Sequence, residues 1–153
     1  MPRRSMLLIV PLSVAALATL AGCGGEEPLS RAEYVKQADA ICTKTNARDR
    51  ELPDAGDINS IAELERITTQ KRQLAEQQIK EVKALEPPDE IADDVDALNK
   101  LSEDQLPKLD EVVEAAKEKD NVKIRQLATD LVEVAGQVRA KTKAIGFEVC
   151  GKR

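Results

Sequence analysis

The chain has 153 residues with 23 basic and 28 acidic side chains, a formal charge of −5 and no histidine. It therefore lacks the commonest metal ligand and the usual general base near neutral pH, and its acidic balance repels nucleic acid. One Tyr, one Phe and no Trp leave a core that must be almost wholly aliphatic.

The first element in chain order is a targeting segment. Arg3 and Arg4 precede an uncharged apolar run from Leu7 to Leu20, which closes on Leu20-Ala21-Gly22-Cys23. A positive start, a short apolar stretch and small residues before a thiol read as a bacterial lipobox, with Cys23 the residue that is acylated. The alternative is a membrane-spanning helix. That needs roughly 20 apolar residues, and Pro11 interrupts a shorter run. The expected organisation is a signal peptide over 1–22, a lipidated Cys23 with a short tether to 29, and a helical domain over 30–153. Removing 1–22 leaves 131 residues and a formal charge of −7, from 21 basic and 28 acidic side chains.

Four helices follow. Ser30 and Glu33 form a capping-box signature, and Tyr34, Ala38, Ile41 and Thr45 continue at helical spacing, so the first helix runs to about Arg50. Pro53-Asp54-Ala55-Gly56-Asp57 is turn chemistry. Ser60 with Glu63 opens the second helix, whose stripe is Ile61, Leu64, Ile67, Leu74, Ile79, Val82 and Leu85. It stops at Glu86, before Pro87-Pro88. Pro88 suits the first turn of the third helix, lined by Ile91, Val95, Leu98, Leu101, Leu106, Leu109, Val113 and Ala116. Pro107 predicts a kink or a break in it. Asp120 or Asn121 caps a fourth helix through Leu127, Leu131, Ala135 and Val138 to Ile145, and Gly146 is its left-handed cap.

Short connections between four helices predict an all-α, antiparallel up-down-up-down bundle. The cysteines refine that topology. With Cys23 carrying lipid, Cys42 and Cys150 remain as a pair, which an oxidising exported compartment would join; two buried free thiols are the alternative. An extended Phe147–Cys150 segment covers about 10 Å, and Tyr34 to Cys42 covers about 12 Å of helix. The equal lengths place Phe147 near Tyr34 and Cys150 at Cys42, stapling the tail to the first helix. The tether sets the Pro87-Pro88 turn near the membrane, with Pro53–Asp57 and the turn near Asp120 at the distal tip.

Chemistry-bearing patterns are few. No glycine-flanked serine elbow appears, so no catalytic residue is assigned and the chain is read as a non-enzyme. Asp89, Glu90, Asp93, Asp94 and Asp96 invite a metal reading, but acidic residues at a helix start are explained by the helix dipole. No metal or cofactor is expected. Glu76 with Lys80, and Glu114 with Lys117, are ordinary helix-face pairs. Gly136 lies off the apolar stripe, a place for a close contact or a neutral exposed glycine. Ala115, Ala116, Ala128, Ala135 and Ala140 either let helices pack closely or leave room for a ligand.

The opening Ser30-Arg31-Ala32-Glu33-Tyr34-Val35, leading into Ala38-Asp39-Ala40-Ile41-Cys42, together with Gly146-Phe147-Glu148-Val149-Cys150-Gly151, resembles small actinobacterial lipoproteins and secreted proteins. Those join a Y-x-x-x-A-x-x-I-C helix to a closing glycine-aromatic-x-x-cysteine segment. The resemblance implies a helical, disulfide-closed protein of the cell envelope and carries over no active site. The expected function is a non-catalytic binding or scaffolding module, lipid-anchored on the extracytoplasmic side of the cell membrane, with an envelope protein as partner. The alternative is a carrier or sensor of a small apolar ligand held between the helices. A cavity above about 300 Å³ favours the carrier; a tight core with an exposed apolar patch favours the protein partner.

Overall fold

The computed structural model describes residues 29–152, and among the described residues it is helical with no strand. The expected signal peptide and the acylation site at Cys23 lie outside the described residues. α1 (Arg31–Asp49) begins at a complete capping box, in which the Ser30 side chain accepts from the Glu33 N–H and the Glu33 carboxylate accepts from the Ser30 N–H at 3.1 Å. α2 (Ile61–Lys83) starts from Ser60, but its Glu63 reaches back to the Asn59 N–H at 3.2 Å. The helix ends short of the expected Glu86. Leu85 N–H bonds to the Val82 carbonyl in a tighter turn, and Leu85 folds in against the core.

The expected third helix is two helices. Pro107 has no N–H for the Glu103 carbonyl, and its ring crowds that carbonyl. α3 (Asp89–Glu103) therefore stops there, and α4 (Leu106–Lys117) restarts with Pro107 in its first turn. Pro88 is the N-cap of α3 rather than part of its first turn. α4 closes through Lys119 in the left-handed region at φ 58°, with the Asp120 N–H on the Ala115 carbonyl at 2.9 Å. The Asp120 carboxylate then caps α5 (Asn121–Ile145), accepting from Val122 and Lys123 N–H. Gly146 ends α5 in the left-handed conformation, as expected, at φ 100°.

The up-down-up-down order holds, with α3 and α4 together forming the third leg, but the helices are staggered. Arg48, near the end of α1, bonds Gln77 at 2.8 Å, and Asp49 pairs with Lys71 at 3.2 Å. α1 thus ends against the middle of α2, and the following connection leads back to the start of α2. α4 lies along the N-terminal half of α2 through Glu65–Lys117 at 3.2 Å and Arg72–Asp110 at 3.4 Å. α5 runs antiparallel to both α3 and α4, through Asp94–Lys141 at 3.5 Å and Lys108–Asp130 at 3.8 Å. A lower tier of α1, α3 and the end of α5 holds the main core; an upper tier of α2, α4 and α5 continues beyond α1.

Within the lower tier, Tyr34, Ala38 and Cys42 of α1 pack with Ile91, Val95 and Leu98 of α3, and with Ile145, Phe147 and Cys150. Arg31 joins the two chain ends: its guanidinium donates to the carbonyls of Ala144 and Ile145 at 3.0 Å, satisfying the exposed end of α5. Cys42 and Cys150 form the expected disulfide, with Cα atoms 5.3 Å apart. Phe147 stacks beside Tyr34 with ring centroids 6.2 Å apart. Surface pairing differs in detail. Glu114–Lys117 forms at 3.0 Å, whereas Glu76 pairs with Arg72 at 3.1 Å instead of Lys80. Ala115 is fully buried, and Ala116 only half-buried. A Cβ at Gly136 would meet nothing within 4 Å, so no close contact requires that glycine.

Two predictions follow from this core. The disulfide spans 108 residues of chain, so the paired change Cys42→Ser and Cys150→Ser should lower unfolding free energy by about 4–5 kcal/mol in the chain-entropy model. Urea unfolding with and without reductant measures it; an unchanged midpoint would refute the staple's role. The second concerns Tyr34, the single tyrosine. Its buried hydroxyl has no hydrogen-bond partner among the described residues. Burial, reinforced by the Asp96 carboxylate, pushes its pKa from 10.0 up to about 12. The unfolded phenol ionises first, so this stability is intact below pH 10.0 and is lost as the pH climbs through about 12. Phenolate absorbance should titrate near the upper value in the native protein and near the lower one in urea.

Candidate functional site

The stagger leaves a gap. Beyond Asp49 no α1 residue covers the seam between α2 and α5, and a cleft of 340 Å³ opens there. Each wall comes from a different element. Lys71, Ala75 and Gln78 project from α2, and Leu131, Ala135, Val138 and Arg139 project from α5. The break between α3 and α4 supplies the floor with Ser102, Gln105, Leu106 and Leu109. Two side chains fold back onto the end of α3: Ser102 Oγ donates to the Leu98 carbonyl at 2.9 Å and Gln105 Nε2 to the Leu101 carbonyl at 3.2 Å. The leucines and alanine are half-buried, so the cleft exposes an apolar lining at the level where a four-helix core would be closed.

Its polar groups are unevenly placed. The Lys71–Asp49 ion pair sits where α1 ends, and Arg139 projects from the α5 wall. On the inner side, the cleft adjoins a chamber of 50 Å³, and the two share Gln78, Ser102, Val138 and Gly151. The chamber is further lined by Asn99, Thr142 and the disulfide, and its volume is sufficient for an ordered water. Gln78 Oε1 is buried here with no hydrogen-bond partner among the described residues. Two other hollows of 350 and 330 Å³ lie against α2, one beside the α1–α2 connection and one beside Glu103 and Leu106. Neither is lined by residues of α5 or of the C-terminal tail.

The C-terminal tail forms one side of this site, and a carboxylate missed in the sequence holds it there. Asp39 accepts from the N–H groups of Glu148 at 2.7 Å and of Val149 and Cys150 at 2.9 Å. Three successive amides converge on one carboxylate, an arrangement stronger than neutral pairing. Gly151 follows at φ 77°, and a Cβ there would come within 2.6 Å of Thr142 Oγ1. Only glycine fits that approach. The sequence signal was present but mute: Asp39 precedes Cys42 by one helical turn and so shares its face. Gln78 had a clearer one, standing four residues from both Leu74 and Val82 on an inward stripe.

Of the sequence-assigned residues, Cys42 and Cys150 meet beside the chamber. Ala135 lines the cleft, and Ala115 packs in the upper core instead. The α3 acidic residues do not converge: among the described residues no group of three or more acidic or thiol side chains is placed to hold a metal ion. Asp94 is engaged with Lys141. Among the described residues the exposed large apolar side chains are Ile61, Val122 and Val132. The chain matches no protein-family model, no characterised protein and no solved structure with which it was compared.

Asp39→Ala should free the tail amides and lower stability by about 1.5–3 kcal/mol, the range for hydrogen bonds to a charged group. Amide hydrogen exchange checks the mechanism. Protection should fall first at Glu148, Val149 and Cys150; uniform loss across all helices would contradict a local clamp.

Proposed function

We propose that this chain is a lipid-anchored, extracytoplasmic carrier or sensor of a small, largely apolar ligand, held in the cleft between α2 and α5. The observation that carries the reading is the cleft itself. Its 340 Å³ falls within the range of small-molecule sites, which are mostly apolar with few polar groups. The staggered α1 and the α3–α4 break open it, and the stapled tail stiffens one side. A stiff site loses less entropy on binding than one that must first order itself.

The anchor rests on sequence and on cysteine arithmetic. Cys42 and Cys150 are joined, so Cys23 is the odd thiol, and it stands at the end of the Leu20-Ala21-Gly22-Cys23 pattern. No described helix is long and apolar enough to cross a membrane. Two or more acyl chains on Cys23 would hold the domain firmly at the surface, with Arg31 and Gly146 at the near end. A second reading, a scaffolding module for an envelope protein, draws on Ile61 and Val122. They begin α2 and α5, at the end remote from Arg31, and are 40% and 71% exposed.

Two experiments test the proposal. Cys23→Ser should move the protein from the membrane to the soluble fraction or stall its processing; unchanged membrane retention would remove the lipid anchor. In a thermal-shift screen of apolar and amphipathic metabolites, a true ligand at about a hundred times its Kd adds roughly 2.7 kcal/mol to stability. That shift should vanish in Ala135→Trp, which fills the cleft. No shift with any compound, or a shift that survives Ala135→Trp, would sink the carrier reading.

A further inference from the structure

The inner end of the cleft holds one buried acceptor that no donor serves. Gln78 Oε1 is buried without a partner among the described residues. Ser102 Oγ and Thr142 Oγ1, which line the adjoining chamber, already spend their protons on the carbonyls of Leu98 at 2.9 Å and Arg139 at 3.0 Å. Each hydroxyl oxygen then keeps only acceptor capacity. These acceptor oxygens share the chamber with the primary amide of Asn99, which can donate as well as accept, and no ionised side chain lines it. Charged groups line the cleft proper instead, as Lys71, Asp49 and Arg139. Leu106, Leu109, Leu131 and Ala135 line the same cleft as an apolar surface.

We infer that the cleft takes a neutral amphiphile hydroxyl end first, its O–H donating to Gln78 Oε1 and its apolar body lying on Leu106, Leu109, Leu131 and Ala135. The inference rests on the cleft being a ligand site and adds the ligand's chemical class and orientation. A hydrocarbon leaves Gln78 Oε1 unpaired in an apolar surround, which is unfavourable. A carboxylate pushed inward brings no proton for Gln78 Oε1 and meets no cationic side chain in the chamber. An alcohol supplies the proton that Gln78 Oε1 lacks, and its own oxygen can accept from the Asn99 amide or a chamber water.

The test is photolabelling of the full chain in phosphatidylcholine nanodiscs, with diazirine-bearing octanol, octanoate and octane as probes. Peptide mapping separates labels in α4 and α5 from labels on the apolar N-terminal stretch. Octanol should label the peptides carrying Leu109 and Leu131 about tenfold more than either other probe. Gln78→Leu removes the acceptor and keeps the volume. It should cut octanol labelling about three- to tenfold, the worth of one neutral hydrogen bond, and raise octane labelling. Its melting temperature should not fall, because an unpaired buried oxygen is gone. Gln78→Met deletes the same acceptor and should give the same loss. Equal labelling by octanol and octane that ignores Gln78→Leu would mean that water serves Gln78, and the inference fails. A preference for octanoate would also overturn it, since the amide would then present its N–H₂ inward. Absence of every probe from the cleft would instead defeat the carrier reading on which the inference rests.

Discussion

Everything in this fold hangs on the closure of the C-terminal tail onto α1. With one tyrosine and one phenylalanine, the chain has little large apolar surface with which to fasten its ends. It concentrates both rings, both paired cysteines and a three-amide clamp within a few turns of α1. The covalent bond restricts the unfolded chain, while Asp39 and Gly151 fix the path of the tail in the folded one. Neither effect replaces the other: a crosslink alone would leave the tail backbone free to shift, and the clamp alone would fray with α5.

This closure is also what makes the open site possible. A bundle whose four legs were of equal span would bury Leu106, Leu109, Leu131 and Ala135 under α1. Here α1 ends at Asp49, beside the middle of α2, and those residues are left only half-covered. The lower tier carries enough core and crosslinking to hold α5 in place, so the upper tier tolerates a seam that is not sealed. The α3–α4 break adds to the same effect. Pro107 prevents one smooth helix, yet α5 keeps antiparallel pairs with both halves. The floor is therefore interrupted without a change of direction.

Most of the fold was legible in the sequence because its signals are local. Capping residues at Ser30, Ser60 and Asp120, the left-handed cap at Gly146 and the proline at Pro107 each act within one or two turns. The disulfide was legible for a different reason: with Cys23 set aside, Cys42 and Cys150 are the remaining pair. The tail reaches Cys42 through bends at Glu148 and Val149 and a turn at Cys150, not as the extended segment expected. What stayed hidden is relative height. Periodicity says which face a residue takes but not how far one helix slides along another, and that slide places Asp49 beside Lys71 and opens the cleft. Ala135 was visible as a small residue that either lets helices pack closely or leaves room, without any sign of which. Asp39 was hidden because its partners are backbone amides, which carry no sequence identity. Gln78 was visible as a polar residue in an apolar stripe, but only the finished packing shows its oxygen without a partner.

The central claim is that a staggered, stapled bundle holds a real binding cleft. Native mass spectrometry of the protein purified from its own cells tests this most directly, with Ala135→Trp run beside it. The account predicts an oxidised chain with a reproducible retained mass that is absent from the variant. A bare oxidised chain in both, under conditions that preserve other carriers' ligands, would contradict it and leave the seam as an unfilled consequence of the short first helix.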